Sequence, residues 1–320
     1  MPSKISRVLV TGGGGFIGSH IADALIENGY SVGVLDSFIT GERTNLSSHP
    51  DSRDSFKLHE VDLASVDYST IKNIVKEYDA VIHEAALVSV SRSVENPIST
   101  NLTNVGATVT LLKAAVDSNV ERFLYASSSS VYGDTEILPK KETMPTSPIS
   151  PYGVSKLAAE NYCRVFARVY GLKTVSLRYF NVYGPRQKFG PYSGVIPAFI
   201  RNVLNNAPPV INGDGLQTRD FTYVDDVVQA NLLALESSVA PGEVFNIAAG
   251  GTITINELAE NIIRIIGIPN LQPKHVAPRN GDVRASYADI QKASEQLGFK
   301  PKFTLATGLR RVIDWFAKNP

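Results

Sequence analysis

The chain has 320 residues, more than one compact domain usually holds, which predicts one large domain with a smaller appended one, or two domains. Hydrophobic residues make up 43% and charged residues 19%, the balance of a soluble globular protein, and no apolar run reaches bilayer length, so a membrane protein is not expected. Lys plus Arg and Asp plus Glu are equal at 31 each, which leaves no net field to attract nucleic acid or an anionic membrane and points to small-molecule partners.

The start, MPSKISRVLV, has no signal-peptide core, and Cys163 is the single cysteine, which excludes an intramolecular disulfide framework and suits a reducing compartment. A cytoplasmic protein is expected. Short β-branched runs then alternate with helical patterns: RVLV, IADALIENG, SVGVLD, KLHEVD, AVIHEA, NVGATVTLLKAAVDS and RFLYAS. Such alternation predicts βαβ units, hence an α/β doubly wound parallel sheet of Rossmann type. A long helix follows in PYGVSKLAAENYCRVFARVYG, opened by Pro151 and closed by Gly171, and KTVSLRYFN reads as a further buried strand. From about Gly184 the chain becomes rich in Gly and Pro and its helices shorten, which marks a smaller mixed α/β lobe. RDFTYVDDVVQANLLALES and EVFNIAAG read as a helix and strand that rejoin the main sheet. The expected division is 1–183 with 221–249 as the main domain, and 184–220 with 250–320 as the smaller lobe.

Gly12, Gly15 and Gly18 form G-x-x-G-x-x-G directly after the first strand and at the start of a helix. A tight turn, close backbone approach to a pyrophosphate and a helix N-terminus favouring negative charge are the physical needs of a dinucleotide site, although a plain strand-to-helix turn can use the same glycines. Asp36 ends the second strand about 20 residues on, where a carboxylate accepts the ribose hydroxyls and repels a 2′-phosphate. NAD is favoured over NADP, with a cap on the following turn as the other use of Asp36. Asp62, ending the third strand, is a candidate for the adenine end, or again a cap.

The serine run in ASSSSVYGD ends a strand, and Tyr152 and Lys156 follow about 20 residues later at the start of the long helix. Residues four apart share a helix face, so the Lys156 ammonium is expected to approach Tyr152, favour its phenolate and make it a base near neutrality. An ordinary half-exposed helix face and a polar strand end are the bland alternatives.

Taken together, TGGGGFIGSH, LDSFITG, the serine run with VYG, YGVSK, RYFNVYGPRQ, GDGLQTRDFTYVDD and RNGDVRASYADI resemble the extended short-chain dehydrogenase/reductase family acting on nucleotide sugars, from one end of the chain to the other. Within it, EAALVSVSRSV, INGDG and RNGDVRASYADI most resemble UDP-sugar 4-epimerases. The resemblance implies Ser128 as the catalytic hydroxyl, Tyr152 as base and Lys156 as its partner, with Ser129 and Ser130 against the sugar. It adds Phe16, Ile17, Ser37, Gly41, Leu63, Ala85, Ala86, Asn104 and Tyr179 to the surroundings of NAD. For a UDP-sugar it implies Arg219, Arg279 and Asn181 at the pyrophosphate, Val195 and Asn212 beside the uridine, and Asp282 at the ribose. Ser286 falls where a bulky Tyr restricts the pocket in galactose-restricted relatives, so a 2-acetamido group is expected to fit. The implied reaction is inversion at C4 through a transient 4-keto sugar, on UDP-GlcNAc/UDP-GalNAc as well as UDP-Glc/UDP-Gal. A UDP-glucuronate 4-epimerase is the second enzyme reading, and a non-catalytic NAD-binding sensor the reading of a different class. No metal site is expected, and apolar residues on several faces of helices 101–118 and 153–170 suggest a homodimer.

Overall fold

The computed structural model describes residues 5–47, 55–190, 194–278 and 283–319. Its first half runs β1 (Arg7–Thr11), α1 (Phe16–Glu27), β2 (Ser31–Asp36), β3 (Phe56–Glu60), α2 (Tyr68–Val75), β4 (Ala80–His83), α3 (Val90–Glu95), α4 (Pro97–Asn101), α5 (Ala107–Asp117), β5 (Arg122–Ser128), α6 (Pro151–Tyr170) and β6 (Thr174–Tyr179). The second half holds β7 (Val182–Tyr183), α7 (Val195–Leu204), β8 (Val210–Asn212), β9 (Thr218–Arg219), β10 (Thr222–Tyr223), α8 (Val224–Glu236) and β11 (Glu243–Ile247). These are followed by β12 (Ile253–Thr254), α9 (Ile255–Ile266), β13 (Lys274–Val276), β14 (Ala285–Ser286), α10 (Gln291–Leu297) and α11 (Leu305–Lys318).

Seven strands form one sheet in the order β3-β2-β1-β4-β5-β6-β11, every neighbouring pair parallel. The fold is a Rossmann-type α/β doubly wound sheet, whose order reverses between β1 and β4, the place where such sheets bind ligands. β1 shows why the runs are so apolar. Val8 and Val10 pack with α1 and α8 on one face, whereas Leu9 packs with α2, α5 and α6 on the other, all three fully buried.

Helix α6 has the ends its sequence implies: Ser150 accepts a hydrogen bond from Gly153 N at 3.1 Å, Pro151 occupies the first turn, and Gly171 closes it at φ +72°. Between α4 and α5, Leu102–Gly106 form a π-helical turn.

A third core joins α7, α9 and α11 through Ile200, Leu258, Ile262, Leu309 and Val312, with Tyr183 and Tyr223 stacked edge to face beneath it. β8 pairs with β13, and β9 with β12 and β14, beside this core. Helix α10 instead returns to the main sheet, where Ala293 and Leu297 join the core that includes β11.

Candidate active site

At the reversal point the backbone itself leaves no room for side chains. Gly12 has φ +70°, and a Cβ there would lie 2.7 Å from Ala85 N. A Cβ on Gly18 would collide with Gly12 O, so β1 and α1 meet at a distance only glycine allows. Helix α1 begins without a side-chain cap and with no carboxylate in its first turn. Its N-terminus therefore keeps the positive partial charge that suits a pyrophosphate, with Phe16 and Ile17 in that first turn.

Asp36 ends β2 and is buried; Oδ2 accepts Gly14 N at 2.8 Å and Oδ1 accepts Phe38 N at 2.7 Å. It braces the glycine turn and also closes the turn through Ser37. Gly41 packs against the same two groups, since a Cβ would lie 2.9 Å from Gly14 C and 3.0 Å from Asp36 Oδ1. Asp62 adopts a capping arrangement, accepting from Ala64 N and the Ser65 hydroxyl, each at 3.0 Å, beside buried Leu63. Asn104 is wholly engaged as well: it receives Leu87 N at 2.8 Å and donates to Leu87 O and Ser155 Oγ. It pins the loop after Ala86 to α6 from within the π-helical turn.

Ser128, Tyr152 and Lys156 are brought together by β5 and α6. The Ser128 hydroxyl interacts with the Tyr152 phenol and favours its anion, and also accepts from Ser130 N and the Ser130 hydroxyl at 3.2 and 2.9 Å. Ser129 opens the short 3₁₀ turn that this cap holds. Lys156 is buried one turn beyond Tyr152 and donates to Ala126 O at 2.7 Å, two residues before Ser128 on β5. Tyr179 ends β6 in register with Ser128.

The electrostatics differ from the expectation. Burial pushes the Tyr152 phenol up to about 12, which the Ser128 hydroxyl only partly offsets and the charge of Glu84 reinforces. The Lys156 ammonium does not make a base of Tyr152 in the protein alone, because it binds the Ala126 carbonyl and is itself desolvated, which lowers its proton affinity.

Two supporting residues escape a motif reading. Glu160 lies one further turn along the face of Tyr152 and Lys156; it accepts from the Ser127 hydroxyl at 2.7 Å and takes a fork from Arg178 at 2.9 and 2.6 Å, all fully interior. Ser93 accepts Tyr152 N at 3.0 Å. The periodicity of 4 from Tyr152 through Lys156 to Glu160 was the available signal for the first of them.

Past β6 the chain lines a cavity of about 480 Å³. Asn181, Val195, Asn212 and Arg219 all line it, together with Phe189 and Phe221. Asn181 adopts φ +34° and donates to Asp220 O at 2.9 Å. Ser286 is buried on β14, paired with Arg219 of β9. Arg279 and Asp282 lie outside the described residues. No cluster of metal-ligating side chains occurs among the described residues.

The model of the NAD dependent epimerase/dehydratase family matches residues 8–248. Among solved structures, the UDP-N-acetylglucosamine 4-epimerase of Methanobrevibacter ruminantium in complex with UDP-N-acetylmuramic acid is 39% identical, with a TM-score of 0.93 over 99% of this chain and 100% of that one. The UDP-glucose 4-epimerase of Thermotoga maritima with UDP-glucose is 40% identical, TM-score 0.91, covering 98% and 99%. The UDP-glucuronic acid 4-epimerase of Bacillus cereus in complex with UDP-glucuronic acid and NAD is 33% identical, TM-score 0.91, covering 98% and 100%.

Proposed function

We propose a specific UDP-sugar chemistry from the premise that the chain belongs to the NAD dependent epimerase/dehydratase family: it inverts C4 of UDP-hexoses, including the N-acetylated pair UDP-GlcNAc/UDP-GalNAc. The observation that carries the reading is the convergence of Ser128, Tyr152 and Lys156 at the end of β5, while Asn181, two residues past the end of neighbouring β6, lines a cavity with Asn212 and Arg219. When bound, NAD supplies the acceptor for the C4 hydride and a positive ring that lowers the Tyr152 phenol from its high value in the protein alone.

The crowded glycine turn fits such a dinucleotide, because Gly12 and Gly18 leave bare backbone facing the uncapped start of α1. Asp36 would hold the adenosine ribose, and Lys156 would lie toward the nicotinamide half. Tyr152 takes the proton of the C4 hydroxyl as the sugar is oxidised, and the Ser128 hydroxyl supports the growing carbonyl. The 4-keto sugar turns over, and Tyr152 returns the proton when the opposite face is reduced. Arg219, with its planar multiple donors, meets the UDP pyrophosphate beside Asn181, while Val195 and Asn212 flank the uridine. Residues 184–220 and 250–320, apart from α10 on the main sheet, form the lobe that holds the nucleotide, and 1–183 with 221–249 the part that holds NAD. Small Ser286 leaves room for the acetamido group. A homodimer assembles through α6 and the helices beside it.

The test is proton NMR of the purified enzyme with UDP-GlcNAc, UDP-Glc and UDP-GlcA separately, following the anomeric signal of each C4 epimer. Conversion of the first two is expected. Conversion of UDP-GlcA alone transfers the assignment to the glucuronate reading, and no epimer from any of the three ends it.

A further inference from the structure

Glu84 has no part in the reaction just outlined, yet it stands at the centre of the site. It follows β4, donates its own N–H to Thr11 O at 3.1 Å, and precedes Ala85, against which Gly12 is packed. The residue therefore lies between the glycine turn and the Tyr152 face of α6, on the path of any dinucleotide that joins them. Because side chains alternate along a strand, Glu84 leaves the opposite side from His83, whose ring is held between the hydroxyls of Thr11 and Thr108.

Its carboxylate is fixed from two elements. Tyr179 on β6 donates to Glu84 Oε1 at 2.6 Å, and Asn231 on α8 donates to the Tyr179 oxygen at 2.8 Å and to Val227 O at 2.9 Å. The ionisable groups around it are Tyr179 from β6, Tyr125 from β5, and Tyr152 and Lys156 from α6. Lys156 is the one cation among them, and its ammonium is bound to Ala126 O instead. Burial pushes the Glu84 carboxyl up to about 7 against the Tyr179 hydroxyl and the Lys156 charge, which favour its anion, so the carboxylate prevails above neutral pH.

We propose that Glu84 is a positioning residue for the redox state of bound NAD: held by Tyr179, its carboxylate favours the oxidised, positively charged nicotinamide over the reduced, neutral one. It counterbalances Lys156, whose charge acts in the opposite sense, and keeps the holoenzyme in the form that accepts hydride. The same negative charge holds the Tyr152 phenol up, so its removal eases proton abstraction while it makes the reduced cofactor harder to reoxidise. The proposal rests on the placement of NAD given above, not on the identity of the sugar.

The test uses holoenzyme purified with its bound NAD, equilibrated without sugar and without oxygen against a two-electron redox dye, reading the near-ultraviolet absorbance of the reduced ring. Two electrons and a proton pass from reduced dye to cofactor, so no residue of the chain is consumed. At fixed dye ratio and at pH about 8.5, where Glu84 is ionised, Glu84→Gln is expected to raise the reduced-to-oxidised ratio of bound cofactor about tenfold, as loss of one nearby unit charge implies. Glu84→Asp, which keeps the charge, stays near the parent value. The affinity ratio for NAD⁺ over NADH, measured by calorimetry on stripped and reloaded protein, falls by the same factor in Glu84→Gln, and the acid limb of its pH-rate profile moves to lower pH. An unchanged ratio in Glu84→Gln overturns the proposal. Equal shifts in Glu84→Gln and Glu84→Asp overturn it too, because they mark lost packing rather than lost charge. Since the redox arm contains no sugar, its failure is distinct from a failure of the epimerase reading.

Discussion

At the scale of single residues, the site turns on proton affinity. Tyr152 sits in surroundings that hold its proton, with the phenol pushed to about 12 by burial and by Glu84. If it is nevertheless the base, Tyr152→Phe lowers kcat by about 10²-fold or more while NAD remains bound after purification; kcat within a factor of two of the parent would remove Tyr152 from the role. Ser286 tests the breadth of the pocket. It is small, buried and opposite Arg219 on the neighbouring strand. Ser286→Tyr is expected to abolish turnover of the N-acetylated pair and spare UDP-Glc, measured as the ratio of the two kcat/KM values. An equal loss on both substrates would place Ser286 outside the sugar pocket. The sequence reading was least informative where one residue type has two common uses. Asp62 bonds within its own turn, and Asn104 bonds to Leu87 and Ser155, and an isolated motif does not separate either use from a ligand contact.

Among the elements, α6 and β5 do most to shape the site. Tyr152, Lys156 and Glu160 form one stripe of α6, and the Glu160–Arg178 pair anchors the stripe to β6 beneath Ser127. Breaking such a pair on one side leaves an uncompensated buried charge, so Glu160→Gln is expected to cost about 3–5 kcal/mol in a urea titration. A cost below about 1 kcal/mol would show that the guanidinium finds another partner. β4 carries a pH dependence. His83 is buried, and desolvation, with a smaller contribution from Lys156, pushes its ring down to about 3. The unfolded chain binds that proton below about 6.5. Stability attributable to His83 is therefore complete above pH 6.5 and lost as pH falls from there toward 3, by up to about 1.4 kcal/mol per pH unit. His83→Asn flattens this part of the curve, whatever it does to stability at neutrality; parallel curves for the two proteins would refute the assignment. The helices and strands themselves were legible, because β-branched runs buried on both faces and caps such as Ser150 and Gly171 are local signals. The π-helical turn at Leu102–Gly106 was not, since it is held by Asn104 reaching to Leu87 and Ser155, residues distant in sequence.

For the molecule as a whole, an apolar strip remains uncovered. Val154, Val165 and Val169 are 53%, 49% and 64% exposed along one side of α6, with Ile98 and Leu102 exposed at 74% and 56% on the neighbouring helical segment. Their spacing puts the three valines within one helical face. A second copy applying the same face is the symmetric way to cover it, which is the homodimer proposed above. Val165→Glu with Val169→Glu is expected to convert the dimer to monomer in sedimentation at micromolar concentration, and a parent protein that is already monomeric there would refute the pairing. No helix among the described residues is long and apolar enough to cross a membrane.

The sequence by itself determined the doubly wound sheet, the glycine turn after β1, the carboxylate ending β2, and the shared face of Tyr152 and Lys156, because each depends on spacing within one or two adjacent elements. Tertiary structure decided the rest. It bound the Lys156 ammonium to a carbonyl rather than aiming it at the phenol, buried Tyr152 deeply enough to hold its proton, and set Glu84 against Tyr179 across 95 positions of chain. Burial and long-range charge are properties of how strands are ordered in a sheet. A linear pattern fixes which groups are available, and only packing fixes what each group must overcome to ionise.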